Sequence, residues 1–79
     1  MIFMTQLNNI SIGQTVQIVN LDLDSHVALR LQALGMILGT KVTVLQKKGK
    51  GTMIIDLRGT RFALGPTITE HIGVEVDNG

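Results

Sequence analysis

Seventy-nine residues, 44% of them apolar and with a net charge of +1, suit one small domain: enough apolar surface for a core, too much for a disordered chain. Cysteine is absent, which excludes disulfides, thiolate metal sites, iron–sulfur clusters and a cysteine nucleophile. Two phenylalanines, with no tyrosine or tryptophan, leave little with which to stack bases or grip a polyproline helix, so no nucleic-acid partner is expected.

The chain opens on Met1-Ile2-Phe3-Met4, which lacks the basic region and long apolar stretch of a secretory signal. No apolar run reaches the roughly 18–20 residues of a bilayer span, so membrane insertion is not expected and a cytoplasmic location is. Residues 1–6 read as a flexible lead-in, 7–76 as the domain and 77–79 as a tail. Gln14 to Leu21 alternates polar and apolar side chains through Thr15, Val16, Gln17 and Ile18, the period of a strand. The alternation slips at Val19, which predicts a bulge or a strand end.

Asp22-Leu23-Asp24-Ser25 then offers side-chain oxygens to free backbone N–H groups, a helix start with Asp24 or Ser25 as N-cap. Val27, Leu31 and Leu34 fall at helical spacing and form the predicted inward stripe. Gly35 supplies the left-handed residue that ends helices, and Gly39 a second such position. The rest reads as strand and turn. Lys41–Gln46, Thr52–Leu57, a short segment around Phe62 and Leu64, and Ile72–Val76 alternate at period two. Lys47-Lys48-Gly49-Lys50-Gly51 and Arg58-Gly59-Thr60 are the turns between them, and Gly65-Pro66 breaks the pattern once more.

Five short strands with one short helix between the first and second predict a mostly β fold. The form expected is a small SH3-like barrel, with an OB-like barrel as the topological competitor, because an open sheet this thin leaves two adhesive edges. The helix closes one mouth. An edge left uncovered makes a homo-oligomer possible.

Charge is unevenly placed. Lys41, Lys47, Lys48, Lys50, Arg58 and Arg61 face only Asp56 between residues 41 and 61, whereas Glu70, Glu75 and Asp77 make the end acidic. The lysine-rich turn suits an anionic surface or an acidic partner, and equally a solvated guard against edge pairing.

Chemistry is poorly supported. His26 and His71 lie far apart in sequence, and no spacing proposes a nucleophile with an oriented base, so the chain reads as a non-enzyme. Asp22, Asp24 and His26 alternate as ligands sometimes do, but two aspartates at a helix start serve as caps without any metal; no metal site and no cofactor are assigned. Gly49-x-Gly51 lacks the spacing of a phosphate loop. The helix carries the sharper signal. Leu29, Ala33 and Met36 recur at helical spacing on the side opposite the core stripe, a second apolar face that the barrel does not need. With Lys47, Lys48 and Lys50, they are the predicted partner-binding residues.

Arg30-Leu31-Gln32-Ala33-Leu34-Gly35-Met36-Ile37-Leu38-Gly39 resembles the signature of the FeoA family, small proteins of bacterial ferrous iron transport. The likeness continues through Arg61-Phe62-Ala63-Leu64 and Ile72-Gly73-Val74. It implies structural roles for Arg30, Leu31, Leu34, Gly35, Gly39, Phe62, Ala63, Leu64 and Ile72. It also implies an SH3-like barrel and a partner, the FeoB-type membrane transporter met on its cytoplasmic side. Two further roles stay open beside that one: a barrel working with a metal-dependent repressor, and a small carrier of transition metal. The chain departs from the family pattern at Leu38, where relatives commonly have proline, and in its basic hairpin after Gln46.

Overall fold

The computed structural model describes residues 2–77. Six strands, β1 (Ile2–Gln6), β2 (Thr15–Leu21), β3 (Lys41–Lys48), β4 (Thr52–Leu57), β5 (Thr60–Leu64) and β6 (Ile72–Asp77), form one antiparallel sheet in the order β1-β6-β2-β3-β4-β5. Helix α1 (Ser25–Ala33) joins β2 to β3, and the one-turn helix α2 (Pro66–Thr69) joins β5 to β6. The mostly β architecture and the helix after the Thr15–Leu21 strand are as the sequence predicts. Strand β1 and helix α2 are additions.

Residues 1–6, expected as a loose lead-in, prove to be strand from Ile2 onward. The cause is tertiary. Strand β1 pairs with β6 from Ile2 opposite Asp77 to Gln6 opposite Gly73, so its hydrogen bonds come from the far end of the chain. Of the predicted tail, Asp77 ends β6, while Asn78 and Gly79 lie outside the described residues.

Alternation sends Val16, Ile18, Val42, Val44, Met53, Ile55, Leu57, Ile72, Val74 and Val76 into a single buried cluster that Leu7, Ile10, Leu31, Met36 and Leu64 complete. Two bulges let the sheet wrap around that cluster. Val19 is the extra residue where β2 pairs with β6, between Ile18 and Asn20. Leu45 is the extra residue where β3 pairs with β4, between Val44 and Gln46. A bulge bends its strand and strengthens the local twist. Strand β2 therefore serves two neighbours, β3 over Thr15–Gln17 and β6 over Gln17–Leu21. Arg58 and Gly59 join β4 to β5 with φ values of 51° and 88°, the two positive angles of a type I′ hairpin turn.

Candidate docking surface

Helix α1 is defined at both ends by local chemistry. At its start the Asp24 carboxylate accepts a hydrogen bond from the His26 N–H at 2.9 Å, using one of the donors a helix leaves free. At its end the Met36 N–H donates to the Leu31 carbonyl at 2.9 Å and the Gly35 N–H to that of Gln32 at 3.0 Å. Those are the two bonds of a Schellman cap, with Gly35 at a φ of 99°.

The cap decides which side chains face inward, and it corrects two expectations. Leu34, predicted for the core stripe, is 49% exposed, whereas Met36, predicted for the outer face and for partner contact, is fully buried. Periodicity extrapolates a helix past its end. The left-handed turn at Gly35 redirects the chain, so Met36 enters the same buried cluster as Leu31. Leu31 remains a buried anchor as predicted, and Val27 packs on the core partly exposed.

The outer side of α1 and the loop behind it carry the apolar residues left over. Leu29 is 62% exposed, Ile37 48% and Leu38 61%, with Ala33 also exposed. Spacing alone missed Leu34, which it assigned to the core stripe, and Ile37 and Leu38, which follow the helix end. The loop is held firmly. Thr40 N–H donates to the Ile37 carbonyl at 3.1 Å, Thr40 Oγ1 to that of Gly35 at 3.3 Å, and Gly39 N–H to that of Ile18 at 2.7 Å. Gly39, at a φ of 92°, lets the chain enter β3 directly from this turn. Arg30 is exposed in the last turn of α1, where a positive charge suits the negative end of the helix.

The three lysines lie elsewhere. Lys47, Lys48 and Lys50 are exposed at the β3–β4 turn, whose Gly51 packs so closely on α2 that a Cβ there would sit 3.1 Å from Pro66 Cβ. A Cβ on Gly35 would meet Leu57 Cδ2 at 3.3 Å. Helix α1 thus ends over one end of β4 and the lysine turn lies at the other, roughly 17 Å away at strand rise. The residues grouped by sequence as one partner surface lie in two separate places. Of the other signature residues, Leu64 and Ile72 are buried, Phe62 packs half-buried on the core, and Ala63 and Arg61 are exposed.

Asp24 is committed to capping, and among the described residues no three His, Cys, Asp or Glu side chains gather into a group suited to a metal ion. A depression of about 240 Å³ on β2, β3 and β6 is lined by Thr15, Val16, Gln17, Lys41 and Glu75. No helix among the described residues is long and apolar enough to cross a membrane.

A small six-stranded antiparallel sheet with a capped helix after its second strand is an SH3-like architecture. A crystal structure of the iron uptake regulatory protein FeoA matches with a TM-score of 0.80 at 25% identity, over 91% of this chain and 95% of that one. Stenotrophomonas maltophilia FeoA complexed with zinc, described as a prokaryotic SH3 domain protein, matches at 0.71 and 22%, over 95% and 99%. A manganese-dependent transcriptional repressor shares the fold at 0.84 and 20%; 94% of this chain matches 42% of that one. No curated protein matches the sequence. The FeoA domain matches residues 5–76, and the chain belongs to the FeoA family. It is a non-enzymatic accessory protein of a family implicated in ferrous iron transport.

Proposed function

We propose that this chain is a cytoplasmic accessory protein of ferrous iron uptake that docks, through the outer face of α1 and the loop behind it, on a FeoB-type membrane transporter. The observation that carries the reading is the display of Leu29, Ala33, Leu34, Ile37 and Leu38 on a helix and loop pinned by a complete C-cap. A backbone held in place loses little further freedom on binding, so more of the burial of its apolar side chains appears as affinity. Such a contact shifts a transporter between states only by binding one state better. For ordinary allosteric coupling the difference is about 1–3 kcal/mol.

The test is capture of the transporter from detergent-solubilised membranes. The Leu29→Lys, Ala33→Asp variant should lose the transporter while its circular dichroism and melting temperature stay close to those of the parent. Undiminished capture by a folded variant would end the proposal. A second reading draws on the fold shared with the repressor, a barrel acting beside a metal-dependent regulator. It predicts that the same face retains the regulator and ignores the transporter.

A further inference from the structure

The lysine turn is unexplained by docking through α1, because it stands at the opposite end of β4 from the helix terminus. We propose that the β3–β4 turn is a second contact surface, for the anionic phospholipid headgroups of a membrane. Lys48 pairs with Thr52 and Lys47 with Met53, so their side chains leave opposite faces of the hairpin, and Lys50 lies in the turn between the strands. All three are exposed. Among residues 41–55 there is no Asp or Glu to neutralise them, although the whole chain carries only +1. The positive charge is therefore concentrated at this turn, at one end of the sheet.

Lysine is the residue for such a target. Its ammonium is a hydrated point charge on a flexible stem, suited to a diffuse anionic layer, whereas arginine's planar fork suits a fixed carboxylate or phosphate. The tip, Lys48-Gly49-Lys50-Gly51, has no aromatic or large aliphatic residue to enter the acyl region, so the contact stays at headgroup depth. Gly51 seated close on Pro66 braces the backbone of the turn against α2. A membrane contact at this end leaves α1 free at the other. The inference does not depend on the α1 reading, since it is tested with the isolated protein and no transporter.

The experiment is co-sedimentation with vesicles of phosphatidylglycerol and, in parallel, of phosphatidylcholine. The protein should partition onto the anionic vesicles, lose that binding as salt rises, and ignore phosphatidylcholine. Each Lys→Gln change at 47, 48 or 50 should lower the partition about fivefold, and all three together by roughly 100-fold. Arg61→Gln, an equal loss of charge at the far end of β4, should leave it within about twofold, as expected for a group beyond the screening length. Soluble glycerol phosphate at matched headgroup concentration should not displace the protein; displacement would mean a phosphate site and would overturn the proposal. So would equal partition onto phosphatidylcholine, or a folded triple variant that binds like the parent. Binding to polyglutamate without binding to anionic vesicles would assign the turn to an acidic protein instead, and would equally refute it.

Discussion

Gly35 is the position on which the proposed docking surface hangs, and replacing it with alanine separates two costs. A Cβ is disfavoured there by the backbone, since a φ of 99° lies outside the ordinary range of L-residues, at about 1–2 kcal/mol. It is also disfavoured by packing, because the new carbon would lie 3.3 Å from Leu57 Cδ2, and overfilling a core costs about 1–3 kcal/mol. Against these, alanine stiffens the unfolded chain and returns about 0.4–1 kcal/mol. The net loss should be about 2–3 kcal/mol, or roughly 10–20 °C in melting temperature for a domain of this size. Gly13 is the matched control: its φ is 92°, yet nothing lies within 4 Å of its Cβ position. Gly13→Ala should therefore lose only the backbone part, about 1 kcal/mol after the same offset. Thermal melts of both variants decide the matter. Equal losses would show that Leu57 yields freely, and the claim that the helix end is clamped on β4 would fail.

Three further outcomes follow from particular atoms. Thr69 is fully buried and its Oγ1 has no hydrogen-bond partner, so Thr69→Val, nearly the same shape, should raise stability by about 1 kcal/mol in a denaturant titration; a loss would reveal a partner for the hydroxyl. Met36→Ala should cost about 2–5 kcal/mol and Leu34→Ala under about 1 kcal/mol, the reverse of what helical spacing alone suggests. Asp24→Ala, which removes the acceptor for the His26 N–H, should lower stability by about 1 kcal/mol, with Asp24→Ser recovering most of it.

What could be read from the sequence was whatever has a local cause. The bulge at Val19 appears as a broken alternation, the cap at Asp24 as an oxygen beside a backbone donor, and the helix end at Gly35 as a residue without a Cβ. The failures share the opposite character. Ile2-Phe3-Met4-Thr5-Gln6 has no alternation, because it lies at the edge of the sheet and leaves Phe3 and Met4 exposed; only β6 makes it a strand. Gly65-Pro66 reads as a breaker, yet proline at the first position of a helix is favoured, and α2 begins on it. The exchange of Leu34 for Met36 arises because a helical wheel contains no information about where the wheel stops. On the outer side of α1 the same fault put buried Met36 among the exposed residues and left out exposed Leu34, Ile37 and Leu38.

The size of the apolar face sets how tightly it can hold a partner. Leu29, Leu34, Ile37 and Leu38 each retain roughly half their surface in water. Full burial of such a side chain is worth about 1.5–3 kcal/mol, so the half still exposed offers about 1 kcal/mol each and the four together about 4 kcal/mol. The partner's matching apolar surface adds about as much again, set against about 4–15 kcal/mol of lost translational and rotational freedom, so the net contact is weak. A protein working through it would be a reversible visitor to a membrane partner, present when something else raises its local concentration. The lysine turn is placed to do that. Contact with anionic headgroups confines the protein to the membrane surface and converts a weak docking into a nearly intramolecular one without adding a contact to the α1 face. Removing the three lysine charges should then weaken transporter capture from native membrane vesicles far more than capture in detergent, where the lipid surface is gone. An equal effect in both settings would place the lysines in the protein–protein contact itself, and the division of labour between the two ends of β4 would be lost.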